Sequence, residues 1–337
     1  MFSRARPFVL TLVVLGLTFA AACVRSAESG SLRDGLRARG ADRQAVDVRQ
    51  VRSGDARSVT ITQDGRERSF LVHVPAGGLP ARPGAVLVFH GGRGAADRVM
   101  ESSGMNAAAD QGGFLAVYPD AGGERWNNGK NATAGGGDDV GFVRAIIARL
   151  QQDYGVDPSR VFATGISNGG GFVYKLACDA PGLLAAIAPI AANMSEALRA
   201  DCAPGQGTPV AMFSGTADPL MPYQGGRPKL DKQIQRALGP ATDEMVSSPD
   251  TAGFWARLNG CAGTTSTEVS DASNDGTTVT RISYTGCSGP GVILYRINGG
   301  GHTWPGSASP DRRITGPTSH DIDATATMVR FFAGYGL

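Results

Sequence analysis

From residue 58 onward, short apolar runs alternate with longer amphipathic stretches. Ser58 to Thr62 and Ser69 to Val74 read as two strands, and Asp64-Gly65 between them is a hairpin signal. Ala85-Val-Leu-Val-Phe89 is apolar at every position, as a strand covered on both faces must be, and it runs into His90-Gly91-Gly92. A helical stretch over Ala95 to Gln111 leads to a second such strand, Phe114 to Tyr118. Asp138-Asp139 opens an amphipathic helix through Tyr154, with Val140, Val143, Ile146, Ile147 and Leu150 on one face. Val161 to Thr164 predicts a strand, followed by a helix over Gly170 to Cys178. Leu184 to Ala191 and Val210 to Phe213 read as two further buried strands. Pro219 to Ser248 is punctuated by Gly and Pro without a clear period and reads as a loop or lid with short helices. Ala252 to Leu258 starts a helix, Thr277 to Tyr284 and Val292 to Ile297 are strands, and Ser319 to Phe332 is a closing helix with Thr318 and Asp321 spaced as a capping box. This alternation predicts the α/β class: a mostly parallel central sheet with helices on both faces.

The N-terminus has a different character. Arg4 and Arg6 precede an apolar core from Phe8 to Phe19, and Ala20-Ala21-Ala22 supplies a small-residue cleavage site, so residues 1–22 read as an export signal. The apolar core is too short to span a bilayer. Cys23 follows at once and opens a second reading, a lipoprotein tethered to a membrane through an acylated cysteine; Ala20 then stands where such signals usually carry leucine. Residues 23–57 form a flexible polar leader with a short helix at Ser31 to Ala41, and residues 58–337 form one catalytic domain. Arg4 and Arg6 account for the whole formal charge of +2, so the rest of the chain is neutral. That balance argues against a nucleic-acid partner or an anionic membrane surface. Setting Cys23 aside, Cys178, Cys202, Cys261 and Cys287 allow three pairings. Sequence proximity favours Cys178–Cys202 and Cys261–Cys287, with four free thiols as the alternative in a compartment that does not oxidise them. No C-x-x-C or Cys/His cluster suggests a metal, and no cofactor is expected. Location is secreted or periplasmic.

The chemistry centres on Gly165-Ile-Ser167-Asn-Gly169, a serine between two glycines at a strand-to-helix junction. In a chain with 48 glycines the motif is weak alone, so it must be supported by a base, an acid and an oxyanion hole. Of four histidines, His73 lies inside a strand and reads as packed, His90 ends a buried strand, and His320 falls in the first turn of the last helix as a cap or surface residue. His302, in Asn298-Gly-Gly-Gly-His302-Thr-Trp304, leaves the last strand on a glycine-rich turn and is the candidate base. Asp218 follows the Val210 to Phe213 strand by a short turn and is the candidate acid; an ordinary turn aspartate before Pro219 is the plainer reading. The order Ser167, Asp218, His302 is that of α/β-hydrolases. Oxyanion donors are expected at the backbone of Asn168 and in the loop His90-Gly91-Gly92-Arg93-Gly94.

Taken together, DGRERSFLVHVP at 64–75, VFHGGRG at 88–94, YPDAGGERWNNG at 118–129, DDVGFV at 138–143, GISNGG at 165–170, FSGTADPLMPYQGG at 213–226, NGGGHTWPG at 298–306 and the final HDIDAT make the chain resemble the polyhydroxybutyrate depolymerase and feruloyl esterase-like family of secreted α/β-hydrolases. The resemblance covers about residues 58–337. It implies Ser167 as nucleophile, Asp218 as acid, His302 as base, Gly92 and Asn168 as oxyanion donors, and the two proximal disulfides. It implies an ester substrate, small or oligomeric: hydroxyalkanoate oligomers or polyesters, or aryl esters of the feruloyl kind. The chain departs from the polymer depolymerases in having glycine at Gly92, where they often carry cysteine. It also stops at Leu337 without their appended substrate-binding domain, which argues against binding of crystalline polymer.

Three aromatic residues are candidates for the substrate cleft. Trp304, two residues beyond His302, is expected to wall the acyl or alcohol pocket, with core packing as the alternative. Trp126, in Glu124-Arg-Trp-Asn-Asn128, is expected at the cleft mouth with Tyr223, whereas Trp255 has core spacing with Leu258. The sequons at Asn131 and Asn193 read as chance. An amide-cleaving alternative on the same scaffold, acting on a polyanionic polyamide, would need Arg93, Arg227 and Lys229 at the cleft. A non-catalytic binding protein would usually have lost one of the three catalytic residues.

Overall fold

The computed structural model describes residues 56–122, 125–129, 137–227, 244–269, 271–308 and 312–337. The signal, Cys23, the leader helix, Asn131, Lys229 and the middle of the expected lid lie outside them. Among the described residues ten strands form a single sheet in the order β1-β2-β4-β3-β5-β6-β7-β10-β9-β8. They are β1 (Ala56–Gln63), β2 (Arg66–His73), β3 (Ala85–Phe89), β4 (Leu115–Pro119), β5 (Val161–Ile166), β6 (Ala186–Ile190), β7 (Val210–Gly215), β8 (Gly263–Glu268), β9 (Thr278–Thr285) and β10 (Val292–Asn298). The run β4-β3-β5-β6-β7-β10 is parallel throughout. The hairpin β1–β2 and the pair β9–β8 add antiparallel edges. β1 begins two residues inside the expected leader.

Helices cover both faces, and each face has its own core. One core packs Val143, Ile146 and Leu150 of α3 (Asp139–Tyr154), Phe172 and Leu176 of α4 (Asn168–Asp179) and Trp255 of α6 (Ser248–Leu258) against Leu87, Ala163 and Leu294. The other packs Val99 of α1 (Ala96–Ser103), Met105 of α2 (Met105–Gly112) and Met328 of α8 (Ala324–Ala333) against Val88, Phe162 and Phe213. Short helices α5 (Glu196–Asp201) and α7 (Arg312–Thr315) complete the described set. This is the α/β-hydrolase arrangement. Among the described residues no helix is long and apolar enough to cross a membrane.

Several elements differ from the sequence expectation. The single helix over Ala95 to Gln111 is two helices, because Gly104 adopts φ 67°, a left-handed conformation that cannot continue a right-handed helix. The last helix starts at Ala324 rather than Ser319, capped by Asp323, whose side chain accepts from the Ala326 amide. Asp321 instead accepts from the Ala272 and Ser273 amides, so the Thr318–Asp321 capping box does not form. His320 is accordingly off the helix, beside Asp275. α6 begins at Ser248, four residues early, with Ser247 as its cap and Pro249 in its first turn. β8 and α5 were not expected; β8 is exposed along its whole length and lacks the apolar alternation that marks a strand.

Both proximal disulfides are present. Cys178–Cys202 ties the end of α4 to the chain beyond α5, and Cys261–Cys287 closes the base of the β8–β9 hairpin.

Candidate active site

The parallel strands bring their carboxyl ends to one edge, and the candidate triad residues leave the sheet there. Ser167 stands between β5 and α4 with φ 58° and ψ −122°, a strained conformation for a residue with a side chain. The flanking glycines make the turn sterically feasible. A Cβ built on Gly169 would sit 2.5 Å from the carbonyl oxygens of both Phe89 and His90, and one on Gly165 would sit 2.8 Å from Phe89 O. The Ser167 amide donates to Ile190 O at 2.9 Å, which ties the turn to the end of β6.

Asp218 and His302 meet because β7 and β10 are parallel neighbours whose exit turns are bonded to each other. The Thr216 amide donates to Ile297 O and the Ala217 amide to Gly300 O, both at 2.9 Å, while the Gly299 amide donates to Thr216 Oγ1 at 2.8 Å. His302 Nδ1 then lies 2.8 Å from Asp218 Oδ2. The other carboxylate oxygen, Oδ1, accepts the amides of Leu220 (2.8 Å) and Met221 (2.7 Å). The Asp218 side chain is 1% exposed, so a buried charge is fully partnered by one imidazole and two backbone N–H groups. On the far side of the turn, the His302 and Gly301 amides donate to Thr315 O and Pro317 O.

The loop after β3 reaches the same edge. An added Cβ on Gly92 would lie 3.5 Å from the Asn168 Cβ, and one on Gly91 would lie 3.5 Å from the Ser167 Cβ. The two expected oxyanion residues are therefore neighbours across the nucleophile turn. Arg93, at φ 59°, turns the loop back, and the Gly94 amide donates to Gly91 O at 2.9 Å. His90, 1% exposed, underpins it: Nδ1 lies 2.7 Å from Gly91 O and Nε2 accepts the Ala121 amide at 3.1 Å. With Nε2 accepting, the ring is neutral and protonated on Nδ1. Burial holds its pKa below the usual imidazole value, against the opposing pull of Gly91 O and the Asp120 carboxylate.

The aromatic candidates are placed differently from expectation. Trp126 is not at a cleft mouth. It is completely buried, stacked on Phe172 at 5.3 Å and edge-on to Phe89 at 5.1 Å. An aromatic side chain in a short loop has no periodicity from which its facing can be read. Trp304 is also buried, and its indole N–H donates to Thr325 Oγ1 at 2.8 Å. The groove that it helps to line, between α1, α2 and α8, includes none of Ser167, Asp218 and His302. Tyr223, five residues beyond Asp218, is buried under the start of α6, and its carbonyl accepts the Ser248 amide at 2.8 Å. Trp255 is core, as its spacing predicts. His73 packs with Nε2 2.9 Å from Asp110 Oδ1. Asn193 is buried, with its amide bonded to Pro222 O and Ser248 Oγ. Among the described residues no group of three or more His, Cys, Asp or Glu side chains is disposed to hold a metal ion.

The sequence gives no sign of the support behind the nucleophile. Asn168 Oδ1 accepts the Trp126 amide at 2.8 Å, and Asn168 Nδ2 donates to Trp126 O at 3.0 Å. Next along, the Asn127 amide donates to Asp139 Oδ2 (2.8 Å), whose other oxygen takes Arg68 Nη1 at 2.7 Å. The Arg68 guanidinium lies over the Phe142 ring, 3.9 Å from its centroid.

Among the described residues, the ten-stranded, mostly parallel sheet with helices on both faces, and Ser167, Asp218 and His302 at its carboxyl edge, has the architecture of the α/β-hydrolase class. The chain belongs to the esterase family described as "Esterase PHB depolymerase", whose model matches residues 68–202. It is 30% identical over 305 residues to "Putative esterase NocK" of Nocardia uniformis subsp. tsuyamanensis, a match covering 86% of each chain. It is 29% identical over 243 residues to "Feruloyl esterase B" of Piromyces equi, covering 70% of this chain and 42% of that one. It is 28% identical over 226 residues to "Acetylxylan esterase A" of Aspergillus oryzae, covering 62% of this chain and 73% of that one. The fold is shared with a solved acetyl xylan esterase from Aspergillus awamori, with TM-score 0.59 and 18% identity over 84% of this chain and all of the other. The protein is thus an esterase of this family.

Proposed function

We propose that this protein is a secreted serine esterase that cleaves ester bonds of hydroxyalkanoate oligomers and polyesters or of aryl esters of the feruloyl kind. The observation that carries the reading is the buried Asp218–His302 pair at 2.8 Å, on the same sheet edge as a serine in a strained turn. In this reading Ser167 Oγ attacks the ester carbonyl carbon while His302 Nε2 takes its proton. Asp218 holds the Nδ1–H and stabilises the imidazolium. The Gly92 and Asn168 amides donate to the tetrahedral oxyanion. Collapse breaks the C–O bond, His302 protonates the departing alkoxide, and water, deprotonated by the same imidazole, releases the acid from the acyl-serine.

Relatives named for feruloyl and acetylxylan esters, and a family named for a polyester, favour esters of these classes. Two disulfides suit an oxidising compartment, in keeping with the signal-like N-terminus. The test is hydrolysis of p-nitrophenyl acetate and butyrate, followed by a panel of hydroxybutyrate oligomers, feruloyl esters and acetylated sugars. Ser167→Ala should lower kcat by about 10⁴-fold or more. Full activity in that variant would overturn the assignment.

A further inference from the structure

Trp126 touches both arms of the oxyanion hole while lying completely buried. Its indole Nε1–H donates to His90 O at 3.0 Å, two residues before Gly92. Its main-chain N–H and C=O are both taken by the Asn168 carboxamide, at 2.8 and 3.0 Å. The side chain of Asn168 thus pairs with both main-chain groups of Trp126, as a residue of a neighbouring strand would. The same ring stacks on Phe172, one turn along the helix that Asn168 opens, and stands edge-on to Phe89 at the end of β3. One residue is therefore bonded to the strand end that carries the first donor and to the residue that carries the second.

We propose that Trp126 and the Asn168 side chain form a brace that sets the spacing of the two oxyanion donors, making them positioning residues for the esterase reaction; this rests on Gly92 and Asn168 being the donors. The physical reason is that an oxyanion hole works only when its N–H groups already point at the position where charge develops. Gly92 has no side chain to anchor it, and the loop's bonds through Gly94 and His90 hold its neighbour Gly91 rather than Gly92 itself. Asn168 is the first residue of α4, and the turn before it is tied to Ile190 O through the Ser167 amide. A buried bridge between them removes their relative motion without touching the substrate. The Asp139 carboxylate extends the brace by fixing the next amide, that of Asn127, and Arg68 neutralises it.

The test uses Trp126→Phe, which keeps an aromatic ring in the stack but loses the Nε1–H bond and part of the buried ring volume, and Asn168→Ala, which removes both carboxamide bonds to Trp126 while keeping the residue's own N–H and adding no charge. Active sites are titrated with a fluorophosphonate so that rates refer to folded enzyme. Each variant should lose about 10- to 100-fold in kcat with little change in KM. Affinity for an alkylboronic acid, which forms a tetrahedral adduct on the serine, should fall by the same factor, while affinity for a non-reactive ester analogue holds. A residue that merely stabilised the fold would lower the melting temperature and leave kcat and boronate affinity alone. If either variant folds and keeps kcat within twofold, the brace is wrong. Activity surviving in Ser167→Ala would instead overturn the underlying serine assignment.

Discussion

At the residue scale, the Asp218 carboxylate makes the sharpest chemical statement. Its Oδ1 is fixed by the Leu220 and Met221 amides, which can only donate, so the other oxygen has no choice but to face His302 Nδ1. In Asp218→Asn, the carboxamide oxygen must stay with those two amides, and its NH₂ group must then point at the imidazole. Nδ1 becomes an acceptor, the ring proton moves to Nε2, and the nitrogen that receives the serine proton in the proposed mechanism is no longer free. The variant is near-isosteric and should fold normally. We expect kcat on p-nitrophenyl butyrate to fall by about 10⁴-fold with KM little changed, as an orienting acid's loss implies. Steady-state kinetics beside a circular dichroism melt checks both halves of that expectation, and a loss confined to KM would argue against the role.

At the element scale, the loop after β3 depends on the neutral state of His90. Nε2 accepts from Ala121, so protonation there replaces a hydrogen bond with two facing donors. Burial sets the folded pKa below the ordinary value. The unfolded chain takes up its proton near pH 6.5, and the folded chain resists it until lower pH. The contribution to stability is therefore complete above about pH 6.5 and is lost as pH falls from there through the folded value. The wild-type melting temperature should decline below pH 6.5 more steeply than that of His90→Asn, and exchange of the Ala121 amide, corrected for its intrinsic rate, should quicken at pH 5. The same loop marks how far the chain could be read before folding. His90-Gly91-Gly92 after a fully apolar strand is a pattern visible in sequence, as are the serine turn and the strand exits at Asp218 and His302, because each rests on local residue types. Trp126, Asn168 and Asp139 work through contacts between segments far apart in the chain, and no local period encodes those. The break at Gly104 was ambiguous for a related reason: a glycine inside a helical pattern is tolerated or terminal according to its φ, which tertiary packing decides.

At the scale of the whole molecule, the sheet separates chemistry from anchorage. Because the six central strands run parallel, their carboxyl ends share one edge, and Ser167, Asp218 and the loop proposed to hold the oxyanion collect there. The antiparallel pair β9–β8 crosses that polarity. The register pairs Thr278 with Asn298 at the carboxyl edge of the parallel strands and Tyr284 with Val292 at the opposite one, so Cys261 and Cys287, just outside Gly263 and Thr285, lie at the edge away from the proposed triad. β8 is exposed at every residue and buries little apolar surface of its own, which leaves the hairpin dependent on its covalent closure. Removing this bond as Cys261→Ala/Cys287→Ala should cost up to about 3.5 kcal/mol, the chain-entropy value for a loop of this length. It should leave kcat at 25 °C unchanged, since the strand ends that carry Ser167, Asp218 and His302 lie at the opposite edge. Urea titration and p-nitrophenyl butyrate kinetics on the double variant measure both. A fall in kcat larger than the unfolded fraction accounts for would mean that the outer hairpin holds the His302 turn in place through the Thr278–Asn298 end, and that anchorage and chemistry are coupled across the full length of β10.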